Sequence, residues 1–167
     1  MSYHKRSLPF FFGGMLVMKK LLSVSLAGVL SLGISMSANA VSEEDAIEYR
    51  QAVMEVIAWN FGQMGAMVRG KIRFDAQVFA KRAGNVAFLS LLSLEGFIPG
   101  SYEGETDAKP AIEINWDHFN AKMAQFEEES AKLAEVAKTA KTRREVGLQF
   151  MKMAKTCKGC HRRYKRR

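Results

Sequence analysis

Near one end of the chain two cysteines and a histidine stand together, in the order Cys157-Lys158-Gly159-Cys160-His161. Two thiols at this spacing, followed directly by an imidazole, form the pattern of a c-type haem attachment site. The chemistry explains the spacing. On a helix, residues three apart share a face, so both thiols can add across the two haem vinyl groups as thioethers. The next residue can then turn its ring toward the iron. Cys157 and Cys160 are thus the expected covalent anchors of one haem c, and His161 the expected iron ligand. Two other readings compete. A redox-active Cys-x-x-Cys opens a helix within a βαβ pattern, whereas this pair closes a helical stretch in a chain with no good strand pattern. Structural zinc needs four ligands. Residues 41–167 offer only two Cys and two His, and His118 lies at the start of another helical stretch, where it reads as solvent-facing or a local cap. Left unmodified in an oxidising compartment, the two thiols would form a local disulfide.

Four helical stretches must position these groups. Ser42-Glu43-Glu44-Asp45 reads as a capping-box start. From there Ile47, Arg50, Met54, Ile57, Phe61, Met64 and Val68 recur at three and four residues, one face of a helix running to about Gly70. Asp75 can cap a second helix, with Val78, Phe79, Val86, Leu89 and Leu92 inside and Gly96 and Pro99 at its end. Residues 95–115, with three Gly and two Pro, form a long connection. Asn115 can cap the third helix, with a stripe of Phe119, Met123, Phe126, Leu133 and Val136. Thr142-Arg143-Arg144-Glu145 reads as a second capping box. The fourth helix carries Val146, Phe150, Met153, Cys157 and Cys160-His161, so the haem ligands continue a core-facing stripe and place the haem inside the bundle. Met64, Met67, Met123, Met151 and Met153 read as core filler, since Met packs irregular gaps. Short links at 70–75 and 138–142 join antiparallel neighbours. The expected fold is all-α: an antiparallel four-helix bundle with haem in its core.

Residues 1–40 read as a separate leader. Lys19-Lys20 is a basic start, Leu21 to Met36 an uncharged apolar run, and Ala38-Asn39-Ala40 a small-x-small cleavage signal. That is the pattern of a secretory signal peptide cut after Ala40, rather than a membrane span. Because Met18-Lys19-Lys20 makes a normal start, residues 1–17 read as an over-extended beginning. Domain assignment is then 1–40 signal peptide and 41–167 haem domain, with a periplasmic location and no membrane association after cleavage. Export suits covalent haem attachment. The leader holds four of the 25 Lys and Arg and none of the 17 Asp and Glu, so the formal charge of residues 41–167 is +4 rather than +8. Much of that charge sits at Arg162, Arg163, Lys165, Arg166 and Arg167. The simpler reading is a solvated helix end whose cations suit the macrodipole; the sharper one is a docking patch for an acidic redox protein. Nucleic acid is excluded as a partner by export and by the lack of basic-aromatic interleaving.

The haem motif, the segment Glu44-Asp45-Ala46-Ile47-Glu48-Tyr49-Arg50-Gln51, and the segments Phe61-Gly62-Gln63-Met64 and Met67-Val68-Arg69-Gly70-Lys71 together resemble the class II c-type cytochromes, the cytochrome c′ family most closely. The resemblance covers roughly 43–165. Class I members carry the attachment motif near the N-terminus, with a ligating Met later. The resemblance implies haem contacts for Arg50 and Gln51, with Arg50 a natural propionate partner, and places Met54 over the iron. It implies that Tyr102 and Glu103 lie near the haem edge and that Lys165 is a basic neighbour of the proximal imidazole. It also implies a homodimer, for which the off-stripe residues Val53, Val56, Trp59 and Met67 offer a second contact surface.

Met54 divides the functional readings. If its sulfur binds iron, the haem is six-coordinate and low-spin, and His/Met ligation suits a pure electron carrier. If it only packs over the iron, the site is five-coordinate and apolar, gives bound O₂ no hydrogen bond, and admits NO and CO. The stronger resemblance favours the second reading: a haem protein binding NO or CO, transferring single electrons, or both. No enzymatic role is expected, because Met54, Ile57 and Phe61 supply no general acid or base.

Overall fold

The structure, a computed structural model, describes residues 41–166. The expected signal peptide, its cleavage point and the alternative start lie outside them. Four long helices follow the four apolar stripes: α1 (Glu43–Val68), α2 (Ala76–Leu92), α4 (Trp116–Thr139) and α5 (Arg143–Tyr164). A single extra turn, α3 (Ala111–Ile114), precedes α4. Helix α1 packs on α2, α2 on α4, α4 on α5, and α5 closes the ring on α1. Among the described residues no helix is long and apolar enough to cross a membrane.

The first two helix starts are as read. Ser42 Oγ accepts the Asp45 N–H at 3.0 Å, and Asp75 Oδ1 accepts the Val78 N–H at 3.0 Å. The other two caps differ. Asn115 gives α4 no side-chain cap; its amide donates back to the Ala111 carbonyl at 2.9 Å, because the unforeseen α3 leaves a carbonyl there to satisfy. At α5 the box is shifted by one residue. Glu145 accepts the Lys141 backbone N–H at 2.9 Å and the Thr142 hydroxyl at 2.8 Å, and Thr142 caps nothing itself. Helix α2 stops at Leu92, before Gly96, where Ser93 Oγ turns back onto the Leu89 carbonyl at 2.9 Å.

The core also corrects the stripes at their edges. Val78 and Val136 are 38% and 37% exposed, and Met151, read as filler, is 51% exposed. The inner positions of α2 and α4 are instead Phe79, Ala83, Val86 and Ser90, and Ser130, Leu133 and Ala137. Ser90 and Ser130 are fully buried, so small side chains take inner positions of these two helices. Val53 and Met67, assigned to a second contact surface, are core residues at 8% and 4% exposure. Val56 and Trp59 do lie outside, at 48% and 67%. The core forms two clusters. The larger holds Val53, Ile57, Met64, Val86, Leu133 and Phe150; the smaller, at the loop end, holds Tyr102, Ile112, Phe119, Met123 and Tyr164.

Candidate haem site

The two clusters are bridged by Met54, half-buried and packed against both. Between them lies a cavity of about 630 Å³, within the range of roughly 300–1,000 Å³ usual for a bound cofactor. Helix α5 lines it with Cys157, Cys160 and His161, and α1 with Arg50, Gln51, Met54, Ile57 and Phe61. Cys157 packs on the larger cluster and Cys160 on the smaller. The stripe read along α5 therefore does bring both thiols and the imidazole to one wall. Burial fades along it, however: Val146, Phe150 and Met153 are buried, both cysteines are half-buried and His161 is exposed. The cavity itself lies between the two core clusters, walled by residues of α1, α4 and α5.

Electrostatics favour haem attachment over the rival readings. Burial pushes the thiol of Cys157 up, and that of Cys160 up to about 11, so both are protonated at neutral pH. A disulfide-exchange pair needs the opposite, a thiolate favoured at a helix N-terminus; these thiols sit in the last turns of α5. No group of three or more His, Cys, Asp or Glu side chains among the described residues could hold a metal ion by itself. Loss of water on the cavity side, with the charge of Lys165 behind it, lowers the His161 pKa. The imidazole is thereby held neutral, the form that binds iron.

Arg50 is the most constrained side chain at the site. It is 3% exposed. One terminal nitrogen donates to the Gly96 carbonyl at 2.9 Å and Ser101 Oγ at 2.7 Å; the other donates to Thr106 Oγ1 at 2.8 Å and to the Ser101 carbonyl. Its guanidinium carbon also stands 5.1 Å from the Phe97 ring centre and 5.7 Å from that of Tyr102. Gly96 permits this approach, since a Cβ there would lie 2.6 Å from Arg50 Cβ. All four terminal N–H groups are therefore committed, leaving Nε–H for any propionate. Yet every partner is neutral, and no carboxylate pairs with Arg50 among the described residues. A buried cation without a counter-charge at a cavity wall suits a cofactor bearing carboxylates.

The remaining expected residues divide. Gln51 is exposed, borders the cavity and donates to the Glu105 carbonyl at 2.8 Å. Lys165 borders the cavity and pairs with Asp107 at 3.3 Å. Tyr102 and Glu103 are not on the cavity wall. Tyr102 is buried behind Arg50 in the smaller cluster, and Glu103 points out to Arg166 at 3.8 Å. Their placement followed from resemblance alone, and the loop carries their side chains past the cavity.

Several wall residues had not been singled out for the site. Phe97, Phe119 and Tyr164 form an aromatic run, with ring centres 4.8 and 5.2 Å apart. Tyr164 was legible, since it continues the stripe four residues after Cys160; Phe97 and Thr106 lie on an irregular loop and carry no periodic signal. Tyr164 hydroxyl and His118 Nδ1 are 2.6 Å apart, so His118, although exposed, is tied to the site. Charged side chains, Glu55, Asp107, Lys122 and Lys165, also border the cavity beside the apolar wall. Finally, the end of α5 is stitched to the loop: Lys109 N–H bonds the Tyr164 carbonyl at 3.0 Å, and Arg166 N–H that of Asp107 at 2.7 Å.

Comparison with known proteins adds a family. The family model described as cytochrome c′ matches residues 45–165. Cytochrome c′ of Halomonas halodenitrificans is 40% identical over 123 residues, 71% of this chain and 93% of the relative. The structure of cytochrome c prime from Shewanella frigidimarina superposes with a TM-score of 0.74 at 46% identity, covering 77% of this chain and all of that one. A variant of cytochrome c prime from Alcaligenes xylosoxidans, solved as its nitric oxide complex, superposes at 0.70 with 29% identity, over 77% of this chain and 98% of that one.

Proposed function

Because this chain belongs to the cytochrome c′ family and so carries one covalent haem c, we propose that it is a periplasmic protein that binds NO or CO at a five-coordinate haem iron and transfers single electrons. The observation that carries this reading is the packing of Met54. Its side chain is wedged between two core clusters and lines the cavity as part of a wall with Ile57 and Phe61. When bound, haem supplies an iron that takes one protein ligand and one exogenous diatomic. The chain does the rest. Cys157 and Cys160 hold the macrocycle, His161 is the iron ligand, and the Arg50 charge supports the propionates. The side chains of Met54, Ile57 and Phe61 offer bound O₂ no donor. The nitric oxide complex of the Alcaligenes relative supports NO as a ligand here.

A second reading rests on the same residue. A thioether at the cavity wall can bind iron, giving a low-spin His/Met electron carrier. Optical and EPR spectra of the ferric and ferrous holoprotein, with and without NO, separate the two. A high-spin haem that takes NO is the expected result. A low-spin haem with a sulfur-to-iron charge-transfer band would overturn it and make Met54 the sixth ligand.

The location rests on the leader reading of residues 1–40. Association as a homodimer is proposed through α1, on the exposed Val56 and Trp59. The basic end of α5 is proposed as the docking side for an acidic redox protein.

A further inference from the structure

At the far end of the bundle from the haem site, some 20 Å along α5 from Cys157, the α1–α2 and α4–α5 turns meet around a concavity of about 520 Å³. Its floor is apolar: Ile72, 43% exposed, and the half-buried Phe74. Its walls are cationic. Lys71 and Arg73 come from one turn, Lys141 and Arg143 from the other. None of the four pairs with a carboxylate among the described residues. The two carboxylates nearest in sequence are already engaged. Asp75 accepts the Val78 N–H at 3.0 Å. Glu145 accepts the Lys141 backbone N–H and the Thr142 hydroxyl, and these bonds, with the Lys141 charge behind them, hold its pKa below the ordinary value.

One cation is seated in advance. Gly70 has φ +70°, a conformation that favours glycine. The Arg143 guanidinium lies against it, in the space any Cβ would fill. The glycine thus makes both the turn and the cradle. Like charges gathered around one concavity repel, and a multiply charged anion relieves them. Arginine forks fit pairs of oxyanion oxygens, while lysines add point charges. Four cations are more than a single carboxylate would need, and the Ile72–Phe74 floor leaves room for an organic group.

We propose that this end of the bundle binds a phosphate-bearing ligand, gripped by Arg73 and Arg143, with Lys71 and Lys141 beside them. The test is titration of the holoprotein with inorganic pyrophosphate at constant ionic strength, followed residue by residue in amide NMR. The chain supplies its own control, because residues 146–166 carry seven Lys and Arg and no Asp or Glu. The expected result is a saturable response confined to 70–74 and 141–143. It should weaken by roughly tenfold or more in Arg73→Gln/Arg143→Gln, with the haem spectrum unchanged. The Lys71→Gln/Lys141→Gln pair repeats the test while leaving the Arg143 guanidinium on Gly70. A response spread over 146–166, or one that does not saturate, would overturn the site. Co-sedimentation with phosphatidylglycerol vesicles, against phosphatidylcholine vesicles, distinguishes the source. Capture lost in the same variants identifies a lipid headgroup; pyrophosphate binding without capture identifies a free phosphate compound. Capture without pyrophosphate binding is general attraction to an anionic surface and also overturns the site.

Discussion

The guanidinium of Arg50 has five N–H donors, and four of them end on residues 96–106. Replacing it removes a brace and strands buried acceptors, so Arg50→Met should lower stability by about 2–4 kcal/mol in denaturant unfolding. An unchanged midpoint would mean the loop holds itself. Met54→Ala opens the wall instead of the brace. It should speed CO and NO association by roughly tenfold or more in stopped flow, if removing the side chain lowers the barrier to entry by the order of one buried contact. Unchanged rates would dismiss Met54 as the residue over the iron. At this scale the sequence was an uneven guide. The motif singled out Cys157, Cys160 and His161, and three-four spacing put Arg50 and Met54 on one face of α1; their roles toward haem came from the family resemblance alone. The partners of Arg50 lie 46 to 56 residues away on an irregular loop, and nothing local announces such contacts.

Between elements, the α4–α5 pairing carries a titratable link. The Gln149 amide donates to the Glu129 carboxylate at 2.7 Å and to its carbonyl at 3.2 Å. That amide, and then Lys132, holds the Glu129 pKa below its ordinary value. A carboxylate with a depressed folded pKa adds stability above its unfolded pKa, and loses it as pH falls through the folded one. Gln149→Leu should therefore cost stability at neutral pH, with the gap to the parent closing in acid, below the usual carboxylate range. A gap independent of pH in thermal unfolding would assign the cost to packing alone. The four helices themselves were legible because apolar periodicity is a local property. Their edges were not: Val78 and Val136 sit on the rim of each stripe, and only the choice of neighbouring helix decides that small Ser90 and Ser130 turn inward instead.

Taken whole, the molecule is polarised. Residues 146–167 carry eight cations and no carboxylate, whereas residues 41–145 hold 17 carboxylates against 13 cations. Such asymmetry orients encounters at long range and weakens with salt. Electron exchange with an acidic protein should therefore slow as ionic strength rises; a flat salt profile would dismiss the α5 docking side. Trp59 and Val56 remain exposed on α1 after Val53 and Met67 are absorbed into the core. Trp59→Glu should convert a dimer to a monomer in sedimentation, and a parent already monomeric at high concentration would end that proposal. The Arg50 brace has a further consequence in time. The α1–α2 and α4–α5 pairs are joined by short turns and can form from nearby contacts, which close quickly. The brace must close a loop of about 50 residues against a greater entropy cost. The haem-side wall rests on this one side chain and an irregular loop, so it should open more easily than the helix-packed core. Amide hydrogens of the 96–106 loop should exchange through local opening while those of Val86 and Leu133 wait for global unfolding, so the cleft can breathe without the bundle coming apart.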